Sequence, residues 1–363
     1  MTKITQLQVN RSDYHATRVV EQDIADLMAD EILVSIRKFA LTSNNVSYAV
    51  SGDMIGYWNY YPAEAPFGNV PVWGIAEVIQ SRSPDIKIGE RLWGFFPMAS
   101  ATKLKVGVVA DDNFMDASEY RSQLPALYNQ YRRTTNEPEF LSKLEDERCL
   151  LFPLFITSYL IYDYLKDNDF FGAKQVIIGS VSSKTGFGVA KLIHEDADAQ
   201  VEVVGMTSQH NVGFVEQLAC CDQIVVYGNE NQINPNLNTA YVDMSGNGPL
   251  TQTLHHHLKE RMVDSCLVGA THWKEDRKLD PALPGARPTF FFAPAQISKR
   301  NKEWGVGVVF EKATIAAARM AHDIKDDIAI ERIAGPESAA QIWKDMLDNK
   351  VAPNRGVMVS FSD

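Results

Sequence analysis

In the second half of the chain, short runs of consecutive apolar residues alternate with segments whose apolar positions recur every three or four residues. Such runs predict strands buried on both faces, and the segments between them predict helices. The order begins with a helix over Phe152–Leu165 and a strand through Val176–Ile178 that ends at Gly179. A small polar turn, Ser180–Thr185, leads to a helix that opens at Gly186. Strands follow at Val201–Gly205, Gln223–Tyr227, Tyr241–Met244, Ser265–Val268 and Thr289–Phe292, with helices at Val212–Ala219 and Leu250–Met262. This alternation predicts a parallel sheet covered on both faces, with ligands at the carboxyl ends of its strands.

The first part of the chain has a different period. Glu31–Phe39 alternates apolar and polar residues as a half-buried strand does, and Val70–Gln80 and Arg91–Phe96 are further strands. Between them Tyr48–Pro62 reads as a loop rich in aromatic residues, suited either to a pocket wall with phenolic hydroxyls or to core packing. Residues 111–148 form a polar insert in which Tyr120, Leu124, Leu127, Tyr128 and Tyr131 have the spacing of an amphipathic surface helix. A helix over Ala339–Asp348 and a strand over Gly356–Phe361 close the chain.

Lys174–His194 carries the clearest chemistry. A strand, a tight turn and a helix bring unpaired first-turn N–H groups and the positive end of a helix dipole up to an anion. The spacing of Gly179, Gly186 and Gly188 is not Gly-x-Gly-x-x-Gly, and Ile178 and Ser183 stand where an ATPase phosphate loop needs glycine. A dinucleotide turn with a longer loop is the reading left, with Ser182, Ser183, Lys184 and Thr185 facing phosphate. A plain strand-to-helix turn with a capping serine is the alternative. After the next strand, Gly205–Asn211 holds no carboxylate to accept a ribose 2′-hydroxyl. Thr207, Ser208, Asn211 and Lys184 would instead tolerate a 2′-phosphate, so NADP is the expected cofactor; Asn211 also suits a helix N-cap. His255–His257 point about 100° apart on a helix and read as a solvated face, not a metal site. His272 and Trp273 follow a strand end, where they serve a ligand or only the loop.

Composition narrows the partners. The 363 residues are 45% hydrophobic and carry a formal net charge of −11, as befits a folded protein that repels nucleic acid. Four cysteines without a C-x-x-C pattern support neither a disulfide framework nor a four-thiolate zinc lobe and suggest a reducing, cytoplasmic setting. No leader is read in the first residues, and the longest apolar stretch, Leu150–Tyr162, is too short and too interrupted to span a membrane.

Taken in order, these segments resemble the medium-chain dehydrogenase/reductase superfamily, and within it a quinone-reductase-like branch known only as a domain of unknown function. The resemblance rests on Ile32–Ser47, on KIGERLWG at Lys87–Gly94, on Ile156–Tyr164, on VDMSG at Val242–Gly246 and on Gln341–Val359. It implies a GroES-like β-rich domain (1–148, with the insert), a Rossmann NADP-binding domain with a doubly wound parallel sheet (149–310) and a return segment (311–363). It adds Thr157, Gly179, Tyr227, Ser245 and Gly269 to the cofactor residues. The family's catalytic-zinc ligands fall near Thr42 and Val70–Trp73, and its structural-zinc cysteines are missing, so no metal is expected. In zinc-free enoyl reductases of the superfamily a tyrosine followed by proline supplies a proton. Tyr61-Pro62 fits that pattern, with Tyr48 and Asn45 the next candidates. The expected activity is hydride transfer from NADPH to an activated C=C or C=O of a small apolar substrate lying between the two domains. The rival is a protein that binds NADPH as a sensor or structural ligand. TFFF at Thr289–Phe292 lies where superfamily members often pair sheets, so a homodimer is expected.

Overall fold

Alternating burial makes Lys3–Asn10 (β1) and Thr17–Asp23 (β2) an antiparallel pair. The computed structural model describes residues 3–137, 139–269 and 278–361, so His272 and Trp273 lie outside the described residues. Glu31–Leu41 (β3) comes next and is the spine of the first of two compact units, Met1–Leu150 with Ile328–Asp363. Ser43–Val50 (α1) and Gly52–Ile55 (α2) occupy much of the expected aromatic loop. Phe67–Gly68 (β4) pairs with β1; Pro71–Ser81 (β5), Arg91–Pro97 (β6) and Ala101–Val109 (β7) follow. One edge of β3 pairs with β5, while Glu31–Ser35 on its other edge pairs with β7, which closes the sheet into a barrel.

The insert departs from expectation. Its residues form Asn113–Asp116 (β8) and Gln130–Arg133 (β9), which complete the barrel between β7 and β6, not an amphipathic helix. Pro125 lies between two short 3₁₀ turns, Glu119–Arg121 and Ala126–Asn129, and lacks the N–H that a continuous helix needs. The phenol of Tyr131 goes inward instead, its ring stacked on Phe114 with centroids 5.4 Å apart. Helices appear only at the insert's end, Glu139–Ser142 (α3) and Glu145–Leu150 (α4).

The second unit, Leu151–Asp327, starts with Phe152–Asp167 (α5). Gln175–Gly179 (β10), Lys184–His194 (α6), Glu202–Thr207 (β11), Val212–Leu218 (α7), Gln223–Val226 (β12), Thr239–Asp243 (β13), Gly248–Leu258 (α8), Met262–Leu267 (β14) and Thr289–Phe290 (β15) then alternate. The six strands are parallel, in the order β12-β11-β10-β13-β14-β15. This is the doubly wound sheet expected from sequence, and the order reverses between β10 and β13, where such sheets open a crevice at their carboxyl ends. Ala293–Trp304 (α9) and Val308–Asp323 (α10) pack together and on α5. The return to the first unit therefore begins at Ile328, later than the expected residue 311. It supplies Ala329–Ala334 (β16), Pro336–Leu347 (α11) and Arg355–Ser360 (β17), whose Val357–Val359 pairs with Phe39–Leu41 on the free half of the β3 edge.

The histidine run is not a solvated face. His255 is fully buried, with Nδ1 2.8 Å from the Pro284 carbonyl and Nε2 3.0 Å from Ser265 Oγ. His257 Nε2 lies 2.8 Å from the Ile233 carbonyl, and only His256 is exposed. Each ring points away from its neighbours, so burial separates them as helical geometry requires. Among the described residues no helix is long and apolar enough to cross a membrane.

Candidate functional site

The polar turn between β10 and α6 is built from the backbone outwards. Ser180 adopts a left-handed conformation, φ 55°, and its N–H donates to Tyr227 Oη at 2.8 Å. Val181 N–H donates to the Met206 carbonyl at 3.0 Å, seating the turn on β11. Ser183 caps α6, its Oγ accepting from Gly186 N–H at 3.2 Å. A Cβ on Gly186 would lie 2.6 Å from the Ser180 carbonyl, so the turn closes only around glycine there. Lys184 occupies the first turn of α6, where burial draws its ammonium down to about 8. Thr185 follows it, and its carbonyl lies 2.9 Å from Ser158 Oγ.

Three expected residues from two strand ends converge. Thr207 Oγ1 donates to Ser182 Oγ at 3.1 Å and Asn211 Nδ2 donates to the same oxygen at 3.2 Å. Among the described residues Ser182 Oγ accepts these two hydrogen bonds and donates none, so its own proton is left for an acceptor. Asn211 makes no side-chain cap to α7, so its amide serves the turn. Ser208 stands apart, its Oγ 3.3 Å from exposed His210 Nε2. Across the switch point, Asp243 Oδ1 accepts from Ser245 N at 2.7 Å and from Ser245 Oγ at 2.5 Å. Gly269 N–H donates to the Asp243 carbonyl at 3.0 Å, and a Cβ on Gly269 would meet the Met244 carbonyl at 2.4 Å. A Cβ on Gly179 would come within 2.9 Å of Tyr241 Oη. Thr157 is not drawn into this group: its hydroxyl donates to the Pro153 carbonyl at 2.9 Å within α5.

The tyrosines of the first unit form a separate cluster. Tyr61 is buried; its hydroxyl lies 2.7 Å from the Phe95 carbonyl and 2.8 Å from Tyr131 Oη, which is itself 2.9 Å from that carbonyl. Arg121 Nη1 donates to Tyr131 Oη at 3.0 Å, its guanidinium sits 4.4 Å from the Tyr61 ring centroid, and Asp116 lies 3.7 Å away. Burial pushes the Tyr61 hydroxyl well above its ordinary range, against the pull of Arg121. Asn45 is occupied too: Oδ1 accepts from Thr42 N–H at 2.8 Å and Nδ2 donates to the Pro71 carbonyl at 3.0 Å. Tyr48 differs, because its oxygen accepts from Trp73 Nε1 at 3.2 Å. Burial raises its pKa, while N–H groups of Trp73 and Asn44 favour the phenolate. Among the described residues no group of three or more His, Cys, Asp or Glu side chains is arranged to hold a metal ion.

Residues 39–352 match the family model DUF2855, described as protein of unknown function. The chain belongs to the DUF2855 family. No curated protein matches it by sequence. Its fold is similar to that of several solved structures. CurA from Vibrio vulnificus in complex with NADPH is 11% identical with a TM-score of 0.62, over 100% of both chains. The yhdH oxidoreductase from Salmonella enterica in complex with NADP is 12% identical with a TM-score of 0.55, over 99% of this chain and 100% of that one. A mutant form of an enoyl thioester reductase from Candida tropicalis is 11% identical with a TM-score of 0.58, over 99% and 100%. This DUF2855 chain therefore has the medium-chain dehydrogenase/reductase fold expected from its sequence.

In this DUF2855 chain, sequence reasoning missed two supports of the polar turn and its crevice, and one ion pair inside the first unit. Ser158 lets α5 meet α6, where a Cβ on Gly188 would lie 2.4 Å from Ser158 Oγ. The Asp243 carboxylate, which shapes the turn after β13, was visible only as one letter of VDMSG. Arg121 and Asp116 lie in the insert, whose helical spacing concealed a buried ion pair.

Proposed function

We propose that this chain is an NADPH-dependent oxidoreductase that works without zinc and reduces an activated C=C or C=O of a small apolar substrate. The observation that carries the reading is the convergence of Thr207 and Asn211 on Ser182, at the carboxyl ends of two adjacent parallel strands, with no carboxylate among Ser208–Asn211. Hydroxyl, amide and ammonium groups at a helix N-terminus fit phosphates, and the lack of an acid fits a 2′-phosphate. NADPH, when bound, supplies a hydride. Ser182, Thr207, Ser208, Asn211 and Lys184 would hold its phosphates; the Asp243 turn, with Ser245 and Gly269, would shape the other side of the crevice. Thr42 and Val70–Trp73 offer no side chain that could replace the zinc ligands of zinc-dependent relatives.

Reduction of a double bond also needs a proton and a donor facing the developing negative charge. Of the three candidates Tyr48 fits best, since Trp73 Nε1 donates to its oxygen and would help hold the charge left behind, against the burial that keeps the hydroxyl protonated. Phe290 and Phe292 are exposed at the open β15 edge, where the expected homodimer would pair. The test is calorimetry with NADPH and NADH, followed by NADPH oxidation with a panel of enones, quinones and aldehydes. NADPH should bind more tightly, and Tyr48→Phe should lower turnover by about 100-fold or more without changing NADPH affinity. Equal affinity for NADH would overturn the cofactor reading. Tight NADPH binding with no turnover would leave a sensor, a reading that the commitment of the Tyr61 hydroxyl inside its own unit favours.

A further inference from the structure

We propose that Cys220 and Cys221 are a peroxide-sensitive dithiol whose closure to a disulfide loosens the polar turn between β10 and α6. The two residues link α7 to β12, after Ala219 ends α7 in a left-handed conformation (φ 47°, ψ 41°). The two residues are consecutive, so their sulfurs need only side-chain rotation and a small backbone adjustment to meet. Cys220 is buried, whereas Cys221 is half-buried and within reach of a small oxidant.

The position of Cys221 links the pair to the turn. A methyl group on Gly205 would lie 2.7 Å from Cys221 Sγ and 2.9 Å from Val181 Cγ1, so these two side chains meet over the same bare stretch of β11. Val181 belongs to the turn and is bonded to the next residue of that strand, Met206. Drawing Cys221 Sγ towards Cys220 removes one of the two groups packed on Gly205 and leaves Val181 without its neighbour.

The chemistry is self-contained once peroxide is supplied. Donation from the Cys221 S–H, with the positive charge of Lys191, holds Cys220 below the ordinary thiol range against burial and Glu195, while the same donation, burial and Asp222 push Cys221 up. As Cys221 sulfur attacks one peroxide oxygen its proton passes to the Cys220 thiolate, the O–O bond breaks, and hydroxide leaves and takes up the proton first lost by Cys220 to become water, giving a sulfenic acid on Cys221. Cys220 sulfur then attacks that sulfur, the S–O bond breaks, a second water leaves and the S–S bond forms. Two thiols lose two electrons and one peroxide is reduced to two waters. Adjacent Cα atoms are about 3.8 Å apart, shorter than the usual disulfide range, so the closed form is strained and easily reduced.

The affinity arm of the test rests on the NADPH reading; the others do not. Full-length protein is treated with hydrogen peroxide, alkylated and digested. Mass spectrometry should find the Cys220–Cys221 peptide lighter by two hydrogens and unalkylated. Amide exchange over residues 179–186 should quicken, NADPH affinity should fall about fivefold or more, and dithiothreitol should reverse all three. Cys221→Ser should respond in none of them while binding NADPH like the reduced protein. Two alkylatable thiols after peroxide, or a sulfinic acid without a disulfide, would overturn the proposal. So would a disulfide that leaves amide exchange unchanged. Should the reduced protein bind no NADPH, the proposed function fails, and exchange over residues 179–186 still decides the dithiol.

Discussion

The two polar clusters handle their hydrogen-bonding groups in opposite ways. In the first unit the hydroxyls of Tyr61 and Tyr131 are committed to the Phe95 carbonyl and to each other, and Arg121 Nη1 donates to Tyr131, while Arg121 Nε and Nη2 are buried with no partner among the described residues. In the second unit the donors of Thr207 and Asn211 meet on Ser182, whose own proton is left for an acceptor. Phenols committed to partners inside the barrel rigidify it, and a hydroxyl with a proton to spare can receive a ligand. Residue type alone does not separate the two; where each hydroxyl's partner lies does.

The sharpest way to break this contrast is Arg121→Met. It leaves Asp116 buried without its cation and should cost about 3 kcal/mol of stability in urea unfolding, with NADPH affinity of the folded protein unchanged. An unaltered unfolding midpoint would mean that the buried cluster holds nothing together. In the second unit, Ser208→Asp places a carboxylate where a 2′-phosphate would sit and should weaken NADPH about tenfold while sparing NADH; calorimetry measures both. Smaller and opposite in sign are the two effects expected of Lys184. Its folded pKa of about 8 lies below the usual lysine value. As pH rises through about 8 the ammonium is lost and NADPH affinity should fall several-fold. Over the same window stability should rise, because the unfolded chain keeps a proton that the folded one has released. Lys184→Gln should flatten both curves, and affinity that stays level in the native protein would remove Lys184 from the phosphate site. Least of all, Tyr61→Phe should cost about 1 kcal/mol of stability and leave turnover unchanged. A large loss of turnover at full stability would restore Tyr61 as proton donor.

The contrast also explains what could be read from sequence. Strands such as Val176–Ile178 are buried on both faces, so their identity shows as an unbroken apolar run. The hydroxyls of the turn were legible because their partners lie in the turn itself or at the end of the adjacent strand. Tyr61 was not, since its partners Phe95 and Tyr131 are brought to it by barrel closure. His255 was hidden for the same reason: its burial depends on Pro284 and Ser265, which no helical spacing reveals. In the insert, a spacing of three and four was real but spanned two short turns on either side of Pro125. Period alone could not show that break; the proline, weighed against the period, would have.

The late pairing of β17 with β3 sets an order for biosynthesis. The second unit is one uninterrupted stretch and is able to fold as it leaves the ribosome, whereas the first unit is completed only once β17 has been made and pairs with β3. Until then Phe39–Leu41 presents an unpaired edge of the kind that recruits other chains. The nascent protein thus passes through an interval in which its earliest-made half is the more prone to aggregate, and chaperone demand should concentrate there.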